Sequence, residues 1–431
     1  MRNQLIIKNA KLRDRDQLVH IAVDQGLICQ ISTYDETDAH EPIEAHEIVD
    51  ARGALVVPAF VQPHVHLDSA LTAGEPRENV SGTLYEAIHI WSCRQQQITR
   101  EDVAARALKS IRWHVGQGAL FIRSHVDICD QDLTAVKALL EVKEQVAPQV
   151  QLQLVAFPQE GIMDYPQALE LMEEALKMGV DGVGGTPHLE FTREEGIESI
   201  NRVFDLAEKY DCFVDIHCDE TDDDQSRFLE HVALQAYRRG YGPRTTAGHT
   251  TAMHSYNHAY ADKVLNLAQR ANLNFVANPL SNTSLMGRFD SYPKRRGITR
   301  VREILEKDLN ISLGHDNIMD PFYGLGMASM LQVANMCAHV CQMTGSLEMK
   351  HVFDMITLNG AKTLQIEDVY GLEVGKPANL VLLDARNEMD AIRRMTTATK
   401  VISLGRVVAS TEPVRTRVMV GSDEEIIDYQ K

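Results

Sequence analysis

Three short segments of the chain carry side chains that could together hold a metal ion. Pro63-His64-Val65-His66 has two histidines separated by one residue, and residues two apart on a strand point to the same face, so this pair can chelate one ion. A single divalent ion needs imidazoles, a carboxylate and one position left for water. Adding one histidine and one aspartate from later segments meets that need, and the predicted ligands are His64, His66, His217 and Asp316.

The segments that must position these ligands alternate short apolar runs with long amphipathic stretches. This alternation predicts repeated βα units and a parallel sheet. The helical patterns include Thr134–Val146, Ala168–Met178 and Glu198–Lys209. The predicted strands are Leu55–Val61, Ala119–Ser124, Gln151–Phe157, Gly182–Thr186, Phe213–His217, Thr245–His249, Asn274–Asn278 and Ile311–Gly314. Eight such strands favour a (β/α)₈ barrel over an open sheet.

Catalytic groups of such a barrel lie at the carboxyl ends of its strands. Histidines scattered through a core would not be expected to collect there, although each could also be a plain polar group at the barrel mouth. The residues that fall at these ends are His64 and His66 after strand one, Gln159 after strand three, His217 and Glu220 after strand five, His249 after strand six, and His315 and Asp316 after strand eight.

Short β patterns also occur at both ends of the chain. Those near the N-terminus are Leu5–Ile7, His20–Val23 and Leu27–Ile31, and those near the C-terminus are Ala378–Leu383 and Thr399–Val408. We expect the two ends to pair in one small sheet domain. The predicted divisions are 1–57 and 367–431 for the two parts of that domain and 58–366 for the barrel.

The composition excludes several classes of partner. With 43 Lys and Arg against 61 Asp and Glu, the net charge is −18, which repels polyphosphates and argues against a nucleic-acid partner. The basic stretch from Lys294 to Arg300 is interpreted as a solvated loop. Seven cysteines without CxxC spacing indicate reduced thiols. No leader pattern or long apolar run is recognised, so a cytoplasmic location without membrane contact is expected.

The motifs around these residues resemble those of the bacterial cytosine deaminases of the amidohydrolase superfamily, over nearly the whole length. The matching blocks are Asp50 to Val61, His64 to Asp68, Phe157 to Gly161, Pro187-His188, Glu190 to Glu194, His217 to Glu220, His249 to His254, Phe289 to Arg300 and Gly314 to Asp316. The resemblance implies a distorted TIM barrel with a small β-sandwich and one divalent metal. It also implies hydrolytic removal of an exocyclic amine from a free base, and a homo-oligomer.

The resemblance assigns the same four metal ligands and places a proton-transfer glutamate at Glu220. In the mechanism that we expect, Glu220 protonates the ring nitrogen, Asp316 takes the proton of the attacking water, and His249 stabilises the tetrahedral intermediate. Gln159 offers an amide donor and acceptor to the lactam-like edge of the base. Three imidazoles and a carboxylate suit zinc, iron or manganese.

Three further features refine this interpretation. Gly182–Glu190 contains no lysine that could bridge two metals, which predicts a mononuclear site, and Lys177 is expected to face solvent. His188-Leu189-Glu190 matches half of the zinc nucleoside-deaminase motif, but P-C-x-x-C is missing, so His188 is interpreted as a structural or supporting residue. The acids that follow Glu220, from Asp222 to Asp224, are expected to begin a helix that runs through Arg238.

The chain departs from the better-known members of the family near Asp316. Asn317 and Phe322 stand where Asp and Trp are usual, and Ser284 replaces a histidine. These changes make the pocket roomier or less polar, which favours 5-methylcytosine as a substrate, although neutral drift around a cytosine site stays open. Other cyclic amidines or amides, such as isoguanine, creatinine or a hydantoin-like ring, are the alternative substrates. A non-catalytic scaffold is disfavoured because every expected chemical position is filled.

Overall fold

A computed structural model describes residues 3–33, 45–165 and 167–429. Its largest sheet has eight parallel strands, each hydrogen-bonded to the next along the chain. They are β6 (Phe60–Val65), β7 (Ala119–Asp127), β8 (Gln151–Phe157), β9 (Gly182–Val183), β10 (Phe213–Cys218), β11 (Thr245–His249), β12 (Asn274–Ala277) and β13 (Asn310–Leu313). The prediction of a distorted (β/α)₈ barrel with additional sheets at the chain ends is confirmed.

Helices surround the sheet and connect its strands. They are α1 (Leu84–Gln95), α2 (Arg100–Gly116), α3 (Thr134–Val146), α4 (Ala168–Met178), α5 (Arg193–Tyr210), α6 (Phe228–Arg239), α7 (His258–Ala271), α8 (Pro279–Leu285), α9 (Val301–Glu306), α10 (Met330–Val340), α11 (Ser346–Met355), α12 (Leu358–Leu364) and α13 (Glu388–Arg394). The side chains of Thr99, Thr192 and Asn257 accept backbone N–H groups at the starts of α2, α5 and α7, which satisfies donors that the helices cannot pair.

Both chain ends contribute to the smaller sheets. One sheet contains β1 (Asn3–Ala10), β2 (Val19–Asp24), β3 (Leu27–Thr33) and β4 (Ala45–Asp50); a second contains β5 (Leu55–Pro58), β14 (Leu380–Leu383), β15 (Ala398–Ser403) and β16 (Arg406–Ser410). The strands β17 (Thr416–Val420) and β18 (Asp423–Ile427) form a separate hairpin. Leu5 and Ile21 from the first sheet share a buried cluster with Leu380 and Ile402 from the second. The two ends are thus joined, but not by the strands expected: β1, β2 and β3 form their own sheet with β4 and pack on the second sheet, and the pairing itself is made by β5 and β14. The predicted domain boundaries stay predictions.

Two strand predictions are corrected by the structure. The predicted first barrel strand, Leu55–Val61, is divided: β5 pairs antiparallel with β14 outside the barrel, and the barrel strand runs from Phe60 to Val65. An apolar run that serves two sheets in succession cannot be separated by its pattern alone. In the predicted strand Gly182–Thr186, only Gly182 and Val183 form a regular strand, although the Gly184 N–H still donates to the Ala156 carbonyl and the Gly185 carbonyl accepts the His217 N–H. Within the described residues, no helix is long and apolar enough to cross a membrane.

Candidate metal centre and active site

The first and last barrel strands meet at the predicted metal ligands. His66 N–H donates to the Asp316 carbonyl at 3.1 Å, and Asp316 N–H donates to the His64 carbonyl at 2.9 Å. The buried Gln62 side chain strengthens this junction, since its Oε1 accepts the His315 N–H at 3.0 Å. Asp316 has a backbone φ of 70°, a region that costs a non-glycine residue about 1–3 kcal/mol. The ladder between the two strands therefore holds Asp316 beside the histidine pair.

The four predicted ligands converge inside the barrel. His66 Nε2 lies 3.1 Å from His217 Nε2, and Asp316 Oδ1 lies 3.5 Å from the Nε2 atoms of both His64 and His66. Two nitrogens bound about 2.0–2.1 Å from one tetrahedral ion lie about 3.3 Å apart, so these separations fit a shared ion. Both ring nitrogens of His64 are buried without a hydrogen-bond partner. A bound cation would supply the missing partner for one of these two nitrogens.

Burial also sets the charge of these rings. It lowers the pKa of His64, His66 and His217 well below the usual value, because an imidazolium would lose its hydration inside the barrel. The neutral imidazole is the form that binds a metal. The residues present therefore fit a divalent ion, and the donor set of nitrogens and one carboxylate is suited to a transition metal.

The structure adds a buried histidine that the sequence analysis missed. His125, on β7, has donor atoms close to those of His64, His66 and His217, and a second group with similar spacing consists of His64, His217, His249 and Asp316. His125 Nε2 lies 3.4 Å from Asp215 Oδ1, and Arg123 donates to the other Asp215 oxygen at 2.8 Å. A buried charged layer thus lies next to the histidine cluster.

Glu220 and His249 form a pair at the edge of the metal centre. His249 Nδ1 lies 3.1 Å from Glu220 Oε1, and the Asn282 amide lies 2.9 Å from the same ring nitrogen. Burial disfavours a charged His249, but the carboxylates of Glu220 and Asp316 outweigh burial and raise the His249 pKa. This arrangement can exchange a proton between a carboxylate and an imidazole.

One cavity joins the predicted metal, acid–base and substrate residues. Gln159, Glu220, Asp316, Asn317 and Phe322 all line it, together with His66, Asp68, Ser69, Leu84, Trp91, Asp127, His217 and Leu285. His249 contacts the cavity residue Glu220 and is not itself in the lining. His64 is likewise outside the lining but lies 3.5 Å from the lining residue Asp316, so the other predicted residues share one space and these two histidines lie directly behind it.

The positions at which the chain departs from the usual family residues do not all line the cavity. Asn317 lines the cavity, but its amide is used within the protein: Oδ1 accepts from Ser281 Oγ at 2.8 Å and Nδ2 donates to Asp320 Oδ2 at 2.9 Å. Ser284 is outside the lining and donates to the Leu280 carbonyl, while its neighbour Leu285 faces the cavity. Ser284 itself thus does not line this cavity, and the expectation that it frees volume there stays a prediction.

The expectation that the acids from Asp222 to Asp224 begin the helix after Glu220 is wrong. The helix after Glu220 begins at Phe228, and the acid at its start is Asp219, whose carboxylate accepts the N–H groups of Phe228 at 3.0 Å and Leu229 at 2.9 Å. Asp222 instead accepts the N–H of Gly287.

The expectation of a solvated loop from Lys294 to Arg300 is wrong for two arginines, which bind other segments of the protein. Arg295 pairs with Asp290 at 2.6 Å and also contacts Ser255, while Arg300 donates to the carbonyls of Met253 and Tyr256. Lys177 is half-exposed and pairs with Glu173 at 3.3 Å, as expected for a solvent-facing residue.

Some of the residues that the sequence analysis missed could have been found from the sequence, and others could not. Ser124-His125-Val126-Asp127 places a histidine and an aspartate directly after the predicted second strand, the same position that identified His64 and His217. Asn282 and Trp91 had no such signal, because they lie on helices whose approach to the site depends on tertiary packing.

Comparison with known proteins places this site in a family. Residues 47–409 match the model of the amidohydrolase family, so the chain belongs to that family. Within it, the chain is 44% identical to 5-methylcytosine deaminase from Klebsiella pneumoniae, solved with 5-fluorocytosine, with a TM-score of 0.92 over 96% of this chain and 99% of that one. The predicted resemblance to cytosine deaminases is confirmed, and the chain is a hydrolytic enzyme of this type.

Two further relatives, with lower sequence identity, are named for other substrates. The chain is 29% identical over 95% of its length to N-isopropylammelide isopropyl amidohydrolase of Pseudomonas sp. strain ADP, covering 98% of that protein. It is 27% identical over 84% of its length to pterin deaminase of Rhizobium rhizogenes, covering 83% of that protein. Members that share this architecture therefore differ in the compounds for which they are named.

Proposed function

We propose that the protein hydrolytically deaminates a free pyrimidine base, converting cytosine to uracil and 5-methylcytosine to thymine. The observation that carries this proposal is the single cavity that Gln159 lines together with Glu220 and three of the proposed metal ligands, His66, His217 and Asp316. The 44% identity to a 5-methylcytosine deaminase supports it. Isoguanine, creatinine and related rings are the alternative substrates.

A divalent ion held by His64, His66, His217 and Asp316 would supply an activated water for attack on the amine-bearing carbon. Zinc, iron and manganese all suit these donors, and only one ion is proposed because the strand-four segment carries no lysine.

The side chains around the cavity then have separate tasks. Glu220 transfers a proton to the ring nitrogen next to the reacting carbon. Of the two protons that the attacking water loses, one passes through Glu220 to the departing amine, which leaves as ammonia, and the other, taken up by Asp316, restores the protonated Glu220. Asp316 accepts a proton from the attacking water, and His249, beside Glu220, donates a hydrogen bond to the oxygen that gains charge. Gln159 offers its amide to the lactam-like edge and so selects a base without a sugar at that edge.

The pocket wall supports tolerance of a carbon-5 substituent. Phe322 is smaller than the tryptophan usual in the family, and Asn317 is a neutral wall residue fixed by Ser281 and Asp320. A buried methyl group contributes about 0.8 kcal/mol, enough for a severalfold preference. Neutral drift around an unchanged cytosine site is the competing interpretation.

The test is ammonia release from a panel of free bases by enzyme of measured metal content. We expect kcat/KM for 5-methylcytosine to be at least comparable to that for cytosine, and Asn317→Asp to shift the ratio toward cytosine. A wild-type preference for cytosine above about a hundredfold, unchanged in Asn317→Asp, would show that these substitutions do not set specificity. Faster release from isoguanine or creatinine would favour the alternative substrates.

A further inference from the structure

One side of the cavity is formed by residues to which the proposed mechanism gives no task. Leu84 and Trp91 lie seven residues apart on α1, which places them on the same helix face, and both line the cavity with Gln159. Trp91 is only 2% exposed, so its indole packs within the protein except where it borders this space. A large flat ring next to the predicted base-recognition amide suits a planar ligand.

Trp91 is held by a buried carboxylate on a different element. Its indole N–H donates to Asp127 Oδ2 at 2.9 Å, and Asp127 is the last residue of β7. The second carboxylate oxygen of Asp127 accepts the backbone N–H of Cys129 at 2.9 Å and that of Gln159 at 3.4 Å. The Asp127 carboxylate thus links the Trp91 indole to the segment that carries Gln159.

Two further contacts fix this arrangement. The Asp127 N–H donates to Asp68 Oδ2 at 2.8 Å, which ties the end of β7 to the segment after His66. Ser92, next to Trp91, donates to Glu160 Oε1 at 2.8 Å, next to Gln159. Because α1 and the segment after β8 are joined at two points, a shift of Trp91 would move Gln159.

We propose that Trp91 is the wall against which the substrate ring packs, and that Asp127 is a positioning residue that sets Trp91 and Gln159 in one geometry. The ligand is a planar, uncharged heterocyclic base. This inference rests on the proposed function for its choice of ligand, but binding can be measured without the reaction.

Fluorescence provides a readout that is independent of turnover. The chain has two tryptophans, and Trp113 lies on α2 outside the cavity lining, so Trp113→Phe leaves Trp91 as the only indole. We expect titration of metal-loaded Trp113→Phe with uracil, the product expected from cytosine, to change the Trp91 emission in a saturable way. In the Trp113→Phe background, Asp127→Asn should weaken uracil binding by roughly tenfold, the size of one lost polar contact.

Steady-state kinetics separates positioning from a general structural effect. Asp127→Asn and Trp91→Phe should each raise KM for cytosine by roughly tenfold, with kcat changed by less than about threefold and metal content unchanged. The KM of the double variant should be within about twofold of the higher of the two single-variant KM values, because the two residues act as one unit. Asp130→Asn is the control, since Asp130 lies after the same strand but caps α3 through the Thr134 N–H.

Several results would overturn the inference. They are additive KM effects in the double variant, loss of metal in Asp127→Asn, or an emission that does not respond to uracil in an enzyme that deaminates cytosine. A uracil response without ammonia release from any base would reject the proposed function and leave the inference standing. The absence of both would reject both.

Discussion

Removing the buried arginine inside the barrel should strongly destabilise the protein. Arg123 Nη1 lies 2.8 Å from Asp215 Oδ2, and the two side chains are 1% and 0% exposed. At an effective dielectric constant of about 20, two charges at this distance attract by about 6 kcal/mol, an energy that desolvation partly offsets. Arg123 also donates to Gln153 and to the Thr363 carbonyl. In Arg123→Met, the buried Asp215 would lose its cationic partner and keep only the neutral His125 ring, 3.4 Å from its other oxygen.

We expect this variant to lower the free energy of unfolding by about 3–5 kcal/mol, the usual cost of breaking a buried pair by removing one partner. The assay is urea unfolding at a fixed concentration of added metal, since bound metal shifts the apparent stability. Arg244→Met is the matched control: Arg244 pairs with the largely exposed Asp211 at 2.6 Å, and its loss should cost no more than about 1 kcal/mol. If both variants lowered the free energy of unfolding by a similar amount, the argument that Arg123 and Asp215 form a stabilising buried pair would be refuted.

The remaining predictions concern the site. Asp316→Ala should lose both metal and activity, whereas the wild type should hold about one ion per chain; elemental analysis that finds two ions per active chain would contradict the mononuclear site. Glu220→Gln should keep the metal but reduce kcat by roughly two orders of magnitude or more, and near-normal turnover would remove Glu220 from the mechanism. Cytidine should react far more slowly than cytosine, because its sugar would collide with Gln159; comparable ammonia release from both would exclude that role.

The sequence allowed much of the metal centre to be predicted because of a simple geometric rule. Parallel strands present their carboxyl ends at one edge, so residues that directly follow apolar runs share that edge whatever their separation along the chain. His64, His217 and Asp316 were found in this way, and the structure brings them together. The same rule applied to the second strand would have found His125 and Asp127.

Contacts that join different elements could not be predicted in this way. The pairing of Trp91 with Asp127 spans 36 residues, and that of Asn282 with His249 spans 33, and neither leaves a periodic pattern. Asp219 and Asp222 show the same limit, because both are acids after a strand, yet one caps α6 and the other binds the Gly287 backbone.

The sequence by itself determined the barrel and the residue types at the strand ends, because hydrophobic periodicity and local position encode them. Which strand joins the two chain ends was decided by tertiary pairing of β5 with β14. Tertiary structure decided which hydrogen bonds those residues make. Asn317 illustrates the difference: its residue type is given by the sequence, but both ends of its amide are used by hydrogen bonds, one to Ser281 on another segment and one to Asp320 three residues further on. A side chain's chemistry depends on partners that only packing supplies, since a buried polar group must be satisfied by whatever the fold places beside it.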